Sequence, residues 1–144
     1  MLKFNVKLKG IDKGEKEVIR KTQIVLMKSM FKMEELAVDY APFDRGYLKL
    51  NIRTTPLIPA NKYVLLSKAL YSAAMEEGTR PFYAPVKPLK DWARRKLGNE
   101  NIGYAIQKKI AREGIKAQPF MRPAYNEVRT YWFSIFWDQE FGIN

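Results

Sequence analysis

The chain has 144 residues, 47% hydrophobic and 28% charged, and its 26 basic and 15 acidic residues give a net charge of +11. This is the length of one ordinary domain, residues 1–144, and the composition is typical of a globular protein rather than a disordered chain. There is no cysteine and no histidine, which excludes disulfides, thiolate metal sites, cysteine nucleophiles and every Ser-His-Asp arrangement.

The acidic residues do not suggest an active site either. They are scattered or lie beside basic residues, and no pair of aspartates has the spacing of a magnesium site. We therefore expect no enzyme, no catalytic residue, no cofactor and no metal ion. No apolar run approaches the roughly 20 residues of a membrane span, and the alternating N-terminus "MLKFNVKLKG" is not typical of a signal peptide. We expect a soluble chain made inside the cell, without a membrane partner.

The first forty residues predict a strand followed by a long helix. Apolar residues alternate with lysine or asparagine over residues 2–8, the pattern of a strand with one solvated side. Asp12 is suited to cap the next helix. From residue 18 to residue 40 apolar side chains recur close to every 3.6 residues. Pro42 then ends the helix, because proline cannot extend the hydrogen-bond ladder.

The middle of the chain predicts an antiparallel hairpin. Residues 48–55 place Leu48, Leu50 and Ile52 on the inward side of one strand, and "KYVLLSKAL" at 62–70 supplies the partner strand after a longer loop. Residues 71–77 fit either a short helix that ends at Gly78 or the edge of a strand. The prolines at 81, 85 and 88 favour an extended loop after it.

The second half predicts three helices. "LKDWARRKLG" ends at Gly98, "IGYAIQKKIAREG" ends at Gly114, and the last helix follows Pro123. The last helix carries aromatic residues on more than one face, so either the rest of the fold or another subunit is expected to cover it. These elements predict an α+β fold, with a small, mostly antiparallel sheet packed against a long N-terminal helix and further helices in the C-terminal half.

Positive charge is concentrated in residues 80–122, where eleven basic and three acidic residues give a net +8. Around Trp92 and Tyr104 these cations could follow a phosphate backbone without reading its sequence. Two alternatives stay open: amphipathic helices that turn charged faces to water, or a surface for an acidic protein. The DNA-facing candidates are Lys87, Lys90, Arg94, Arg95, Lys96, Lys108 and Lys109.

The passage "GIKAQPFMRPA" at 114–124 connects two of the predicted helices. Gly114 ends the first helix, Pro119 keeps the passage extended, and Pro123 fits the first turn of the next helix. Phe120 is then either an apolar plug in the core or, with Arg122, a contact to a neighbouring subunit. The candidates for a subunit interface are Phe120, Arg122, Trp132 and Phe136.

Three stretches of the chain, in this order, resemble one protein family. The first stretch, "APFDRGYLKLNI" (41–52), the second stretch, "LYSAAMEEGT" (70–79), and the third stretch, "GIKAQPFMRPA" (114–124), resemble segments of the tail-component proteins of long-tailed bacteriophages. These are also called tail-completion or neck proteins, and their segments read Ala-Pro-x-Asp-x-Gly-x-Leu-x-x-x-Ile, Tyr-Ala-x-x-x-Glu-x-Gly-Thr and Gly-x-x-x-x-Pro-Phe-x-Arg-Pro-Ala. The chain departs from this pattern at Ser72, where alanine is commoner, and at Arg45, where threonine is usual.

The resemblance implies a non-enzymatic structural protein of the virion neck or tail, present in the host cytoplasm during assembly. Such a subunit would form a homo-oligomeric ring of about six copies between the head connector or adaptor and the tail terminator or tail tube proteins. DNA passes through the ring, so non-specific contact with genomic double-stranded DNA is expected.

Two other functions remain as alternatives. One is a sequence-independent duplex nucleic-acid-binding module that uses the basic segment 87–116. The other is a hydrolase that uses Asp44 or Glu76. The adjacent Glu76 and Glu77 do not form a carboxylate dyad, because neighbouring residues point in different directions on a helix or a strand.

Overall fold

A computed structural model describes residues 13–57 and 62–142, and these residues fall into two units. Unit 1 contains the chain through Ser72 and from Pro119 onward, and unit 2 contains Ala73–Gln118. The strand predicted over residues 2–8 and the cap at Asp12 lie outside the described residues. The expectation of a single domain stays a prediction.

Unit 1 is built on helix α1, which spans Lys13–Tyr40 as the periodic pattern predicts. Its inner face carries the middle of the predicted apolar stripe, where Val25, Met30, Met33 and Ala37 are all buried, whereas the two ends of the predicted stripe, Val18 and Tyr40, are exposed. The helix ends two residues before Pro42, where the missing proline N–H would interrupt the ladder.

A short helix precedes the hairpin. Helix α2 spans Tyr47–Leu50, and strands β1 (Ile52–Leu57) and β2 (Lys62–Ser67) pair antiparallel. The hairpin is therefore confirmed, but residues 48–50 are helical rather than extended. Leu48 is buried, whereas Leu50 is 68% exposed. Two residues apart on a helix is about 200° of rotation, so the two leucines cannot both point inward as they would on a strand.

The hairpin packs against α1 through Thr54 of β1. Its hydroxyl donates a hydrogen bond to the Met30 carbonyl at 3.2 Å, and its backbone N–H donates to the Glu34 carboxylate at 2.6 Å. These bonds satisfy polar groups where the sheet meets the helix, so the two layers can pack without unpaired donors.

The C-terminal part of unit 1 is a helix with an irregular centre. Helix α6 spans Met121–Glu127, a π-helical turn spans Val128–Trp132, and helix α7 spans Phe133–Phe141. All three pack on α1. Helix α6 begins at Met121, so Pro123 lies in its first turn as predicted. Proline is tolerated there because the N–H groups of the first turn have no intrahelical partner.

Unit 2 is helical. Helix α3 spans Ser72–Glu77, so residues 71–77 form the helix rather than the strand edge. Helix α4 spans Val86–Leu97 and helix α5 spans Ile102–Glu113, with Gly98 and Gly114 at their ends as predicted. The two helices pack on each other and bury Ala93 and Ile110. The chain is thus α+β, with a long N-terminal helix and a small antiparallel sheet of two strands.

Candidate subunit interface

The parts of the second and third stretches that belong to unit 2 pair with each other. The Thr79 backbone N–H donates to the Ile115 carbonyl at 2.9 Å, and the Ile115 N–H donates to the Thr79 hydroxyl at 2.9 Å. Further along, the Gln118 N–H donates to the Met75 carbonyl at 2.7 Å. The extended passage after Gly114 therefore finds its backbone partners on α3 and on the segment that follows it, as the need to pair backbone polar groups requires.

Gly78 and Gly114 permit this close approach. Both have φ of +76°, a conformation that side-chain-bearing residues rarely adopt. A Cβ at Gly78 would lie 2.7 Å from the Ile115 carbonyl oxygen, and a Cβ at Gly114 would overlap the Thr79 carbonyl oxygen. The glycines of the two stretches therefore serve the backbone pairing.

Phe120 is the core plug that the sequence left as one of two alternatives. Its side chain is 0% exposed. A ring with no exposed surface cannot contact a neighbouring subunit from this conformation, so Phe120 as an interface residue is a wrong prediction. Arg122 lies exposed on the first turn of α6. Trp132 and Phe136 are half-buried and stack on each other, with ring centroids 5.9 Å apart.

Five of the exposed apolar side chains lie on α2 or in the segments that flank the hairpin. Leu70 is 100% exposed and Phe43 is 64% exposed, and Tyr47, Leu50 and Tyr71 are exposed as well. The rings of Tyr47 and Tyr71 lie 6.2 Å apart, so the first and second stretches meet in unit 1. These five residues form what we call the α2 patch. Contiguous exposed apolar surface is a candidate contact with another molecule.

The α2 patch is largely uncharged in character. Partial burial raises the pKa of Tyr71 above its ordinary value, and the neighbouring Tyr47 and Asp44 raise it further. The Tyr71 hydroxyl is therefore neutral at neutral pH. Sequence reasoning missed the patch because it placed Leu50 inside a strand. The spacing of Tyr47 and Leu50 could have indicated the patch. Residues three apart lie on the same face of a helix, and Leu48 then lies on the opposite face.

A second apolar surface lies on the C-terminal helix. Its half-buried rings stack in sequence, with centroids 6.0 Å apart for Phe133 and Trp137 and 4.4 Å apart for Trp137 and Phe141. None of the residues of α7 is buried, so the fold covers this helix only in part. We call the set Trp132, Phe133, Phe136, Trp137 and Phe141 the aromatic helix face.

Helix α1 holds the aromatic helix face through charged side chains. The Lys32 ammonium lies 4.4 Å from the centre of the Trp132 ring, and the Lys21 ammonium lies 5.7 Å from that of Phe141. Cations over aromatic faces are attracted by the ring quadrupole. Lys28 also forms an ion pair with Glu140. These contacts anchor the aromatic helix face on α1, and among residues 13–57 and 62–142 its five rings stay half-buried.

Glu127 joins the end of α1 to the C-terminal helix. Its carboxylate accepts a hydrogen bond from the Tyr40 hydroxyl and another from the Trp132 indole N–H at 3.0 Å. The Tyr40 bond, followed by the Trp132 bond, lowers the pKa of Glu127, and the same contact with Glu127 raises the pKa of Tyr40. Both shifts favour ionised Glu127 beside neutral Tyr40, so the hydrogen bonds from Tyr40 and Trp132 to Glu127, which we call the Glu127 clamp, are kept at neutral pH.

The basic candidates do not share one face. Lys90 pairs with Glu100 at 3.1 Å, which is the main cause of its raised pKa, and Arg94 pairs with Asp91 at 2.8 Å. Consecutive residues on a helix point about 100° apart, so the run from Arg94 to Lys96 spreads around α4. Five further candidates are exposed on the two helices α4 and α5: Lys87, Arg95, Lys96, Lys108 and Lys109.

Neither a metal centre nor a membrane span emerges from residues 13–57 and 62–142. No group of three or more metal-ligating side chains occurs among them, and none of their helices is long and apolar enough to cross a membrane. Asp44 lies exposed between α1 and α2, and Glu76 is half-buried on α3.

No protein-family model, curated protein sequence or solved structure matches the chain. The family relationship suggested by the three stretches therefore stays a prediction. The functional argument depends on the surfaces and contacts described above.

Proposed function

We propose that the chain is a non-enzymatic tail-completion or head-tail joining subunit, which forms a ring at the neck of a long-tailed phage. The observation that carries the proposal is the pair of incompletely covered apolar surfaces on unit 1. Subunits that join head to tail around a closed ring need two different surfaces that complement each other. Large exposed apolar patches on soluble proteins mark interaction sites.

The positions of the two surfaces suit such a ring. Phe141 of the aromatic helix face lies under Lys21 of α1, whereas Lys49 of α2 donates a hydrogen bond to the Asp39 carbonyl at 3.4 Å. At a rise of 1.5 Å per residue, positions 21 and 39 are roughly 27 Å apart along the helix. The α2 patch and the Phe141 end of the aromatic helix face therefore lie toward opposite ends of α1. Trp132, at the other end of that face, lies nearer α2, because it contacts Lys32 and the Glu127 that bonds Tyr40.

The remaining partners follow from the same role. The ring would dock on the head connector or adaptor and on the tail terminator or tail tube, and exposed lysines and arginines of α4 and α5 would tolerate DNA passing through it. Contacts to phosphates need no sequence reading, so a loose distribution of cations is sufficient.

Surface substitutions in the α2 patch test the proposal. We expect Phe43→Ser and Leu50→Ser to fold like the parent chain but to lower the yield of infectious particles at least tenfold in a phage that lacks its own copy. Leu97→Ser is the matched control, because Leu97 is 52% exposed on α4, outside the patch. Normal particle yield from well-folded patch variants would contradict the assigned role of the α2 patch.

A sequence-independent duplex-binding module is the second candidate. It is favoured by the exposed cations Lys87, Lys108 and Lys109 on α4 and α5. If it is correct, tight binding to free duplex DNA should weaken steeply with salt, since each phosphate contact releases counterions. A ring subunit without its neighbours should bind free duplex only weakly.

A further inference from the structure

Unit 2 carries two exposed tyrosine rings on or beside its basic helices. Tyr83, in the segment before α4, is 79% exposed, and Tyr104, on the first turn of α5, is 49% exposed. Proteins that bind single strands of nucleic acid combine exposed aromatic rings with cations, because bases stack on the rings while the cations follow the phosphates. The two tyrosines therefore give the basic segment a feature that charge alone does not supply.

Hydrogen bonds to α5 fix the position of Tyr83. The N–H of the residue before it donates to the Ile110 carbonyl at 3.4 Å, and the carbonyl of the residue after it accepts from the Gln107 side chain at 2.7 Å. Tyr83 therefore lies beside α5 near position 108, roughly 6 Å along the helix axis from Tyr104. Nucleotides follow each other at about 3.4 Å along a stacked strand, so a strand of a few nucleotides can reach both rings.

Cations of both helices lie beside the two rings. The Lys90 ammonium lies 5.2 Å from the centre of the Tyr104 ring. Lys87 is exposed three residues earlier on the same face of α4, and Lys108 is exposed four residues after Tyr104 on the same face of α5. We call Tyr83, Tyr104, Lys87, Lys90 and Lys108 the tyrosine platform.

The helices that carry the tyrosine platform are held close together. A Cβ at Gly103 of α5 would lie 2.7 Å from the Lys90 backbone nitrogen of α4, so the two backbones approach each other as closely as a glycine allows. Side chains presented by such a fixed pair of helices lose little freedom when a ligand binds.

Acidic residues do not cancel the positive charge of this surface. Residues 86–113 contain eight basic and three acidic residues. Each acidic side chain forms an ion pair with one cation of the same segment: Asp91 with Arg94, Glu100 with Lys90, and Glu113 with Arg112. The excess of five cations includes Lys87 and Lys108, which remain exposed for an anionic ligand.

We propose that the tyrosine platform binds single-stranded nucleic acid, with bases stacked on Tyr83 and Tyr104 and phosphates beside Lys87 and Lys108. A duplex keeps its bases paired and stacked on each other, so it leaves the two rings without a counterpart. An acidic polypeptide offers negative charge but no row of flat bases. The inference does not rest on the proposed ring, whose contact surfaces lie on unit 1.

Fluorescence anisotropy of a labelled oligothymidine of about 12 nucleotides, compared with a duplex of the same length, tests the proposal on the full chain. We expect the single strand to bind at least about tenfold more tightly than the duplex. Tyr83→Ala and Tyr104→Ala should each weaken binding of the single strand on the order of tenfold, the usual effect of losing one stacked base. The salt dependence should stay unchanged, because these variants lose no phosphate contact.

Three further variants separate stacking from charge and from general damage. Tyr83→Phe keeps the ring and should bind like the parent chain. The double variant Lys87→Gln/Lys108→Gln should flatten the salt dependence instead. Tyr131→Ala is the matched control, because Tyr131 is an exposed ring of unit 1.

Three results would overturn the assignment. The first is a duplex that binds as tightly as the single strand. The second is binding by the Tyr83→Ala and Tyr104→Ala variants that equals binding by Tyr131→Ala. The third is displacement of the labelled strand by polyglutamate as efficiently as by unlabelled oligothymidine, which would make an acidic protein the partner. The assay uses neither heads nor tails, so its failure leaves the proposed ring untouched, and normal particle yield from the α2 patch variants leaves this inference untouched.

Discussion

Replacement of Gly114 by alanine tests how the second and third stretches are joined. Gly114 has φ of +76° and ψ of −166°, a region that is essentially restricted to glycine. In addition, a Cβ at this position would overlap the Thr79 carbonyl oxygen. Alanine must therefore adopt an unfavourable backbone conformation and also move the segment that pairs with residue 115.

The magnitude follows from these two effects. Holding a residue other than glycine in such a conformation costs on the order of 1–3 kcal/mol. Displacement of Thr79 removes two hydrogen bonds with Ile115, each worth about 0.5–1.5 kcal/mol. We expect Gly114→Ala to lower the free energy of unfolding by about 3–5 kcal/mol, a large share of the stability of an ordinary domain.

Urea unfolding followed by circular dichroism measures the loss, and hydrogen exchange of the Thr79 and Ile115 amides shows where it acts. The matched control is Gly98→Ala. Gly98 also has positive φ, of +70°, but a Cβ there meets nothing within 4 Å, so only about 1–2 kcal/mol should be lost. If Gly114→Ala proves no more destabilising than Gly98→Ala, the backbone pairing is not the reason for glycine at position 114.

Three further changes have clear expected outcomes. Phe120→Ala should destabilise the chain by about 3–5 kcal/mol because it empties a fully buried site; a loss below about 1 kcal/mol in urea unfolding would contradict its role as a core plug. The pKa of Glu127 is lowered in the folded state, so its stabilising effect is complete above the ordinary value of about 4.3 and is lost as pH falls through the lower folded value. The stability difference between the parent chain and Glu127→Gln should therefore shrink between pH 7 and pH 3, and a difference independent of pH would refute the clamp with Tyr40. Replacement of Lys87, Lys108 and Lys109 by glutamate should reduce residual binding to free duplex and flatten its salt dependence. The double variant Lys90→Glu/Arg94→Glu should also disturb the ion pairs around Glu100. Equal duplex binding by the parent chain and the triple variant would exclude α4 and α5 as the source of that binding.

The helices could be predicted from the sequence where local signals act alone. The apolar period of α1 and the glycine stops at 98 and 114 depend on neighbouring residues only, and the structure confirms them. Residues 48–50 could not be assigned in the same way, because a run as short as "YLKL" fits both a strand and one helical turn. The strand period of two residues was used for this helical turn, and it placed Leu50 in the core, whereas Leu50 is exposed.

The candidate interface depended on tertiary structure and was harder to predict. An apolar residue such as Leu70 in an apolar segment suggests core, and its full exposure becomes visible only when the fold is known. Thr79 and Ile115 pair across 36 positions of sequence, a distance over which no local pattern applies. The cations were correctly located on two helices, but Glu100 forms ion pairs with two of them, Lys90 and Arg94, and this could not be read from the linear charge distribution.

The measurement that tests the central claim most directly compares two kinds of target at physiological salt. Purified protein is offered free duplex DNA in one assay, and in the other DNA-filled heads without tails, or isolated tails, of a long-tailed phage. We predict stoichiometric binding to heads or tails and only weak, salt-sensitive binding to free duplex. Tight binding to free duplex without uptake by either particle would contradict the neck assignment and make the basic segment of α4 and α5 the functional site.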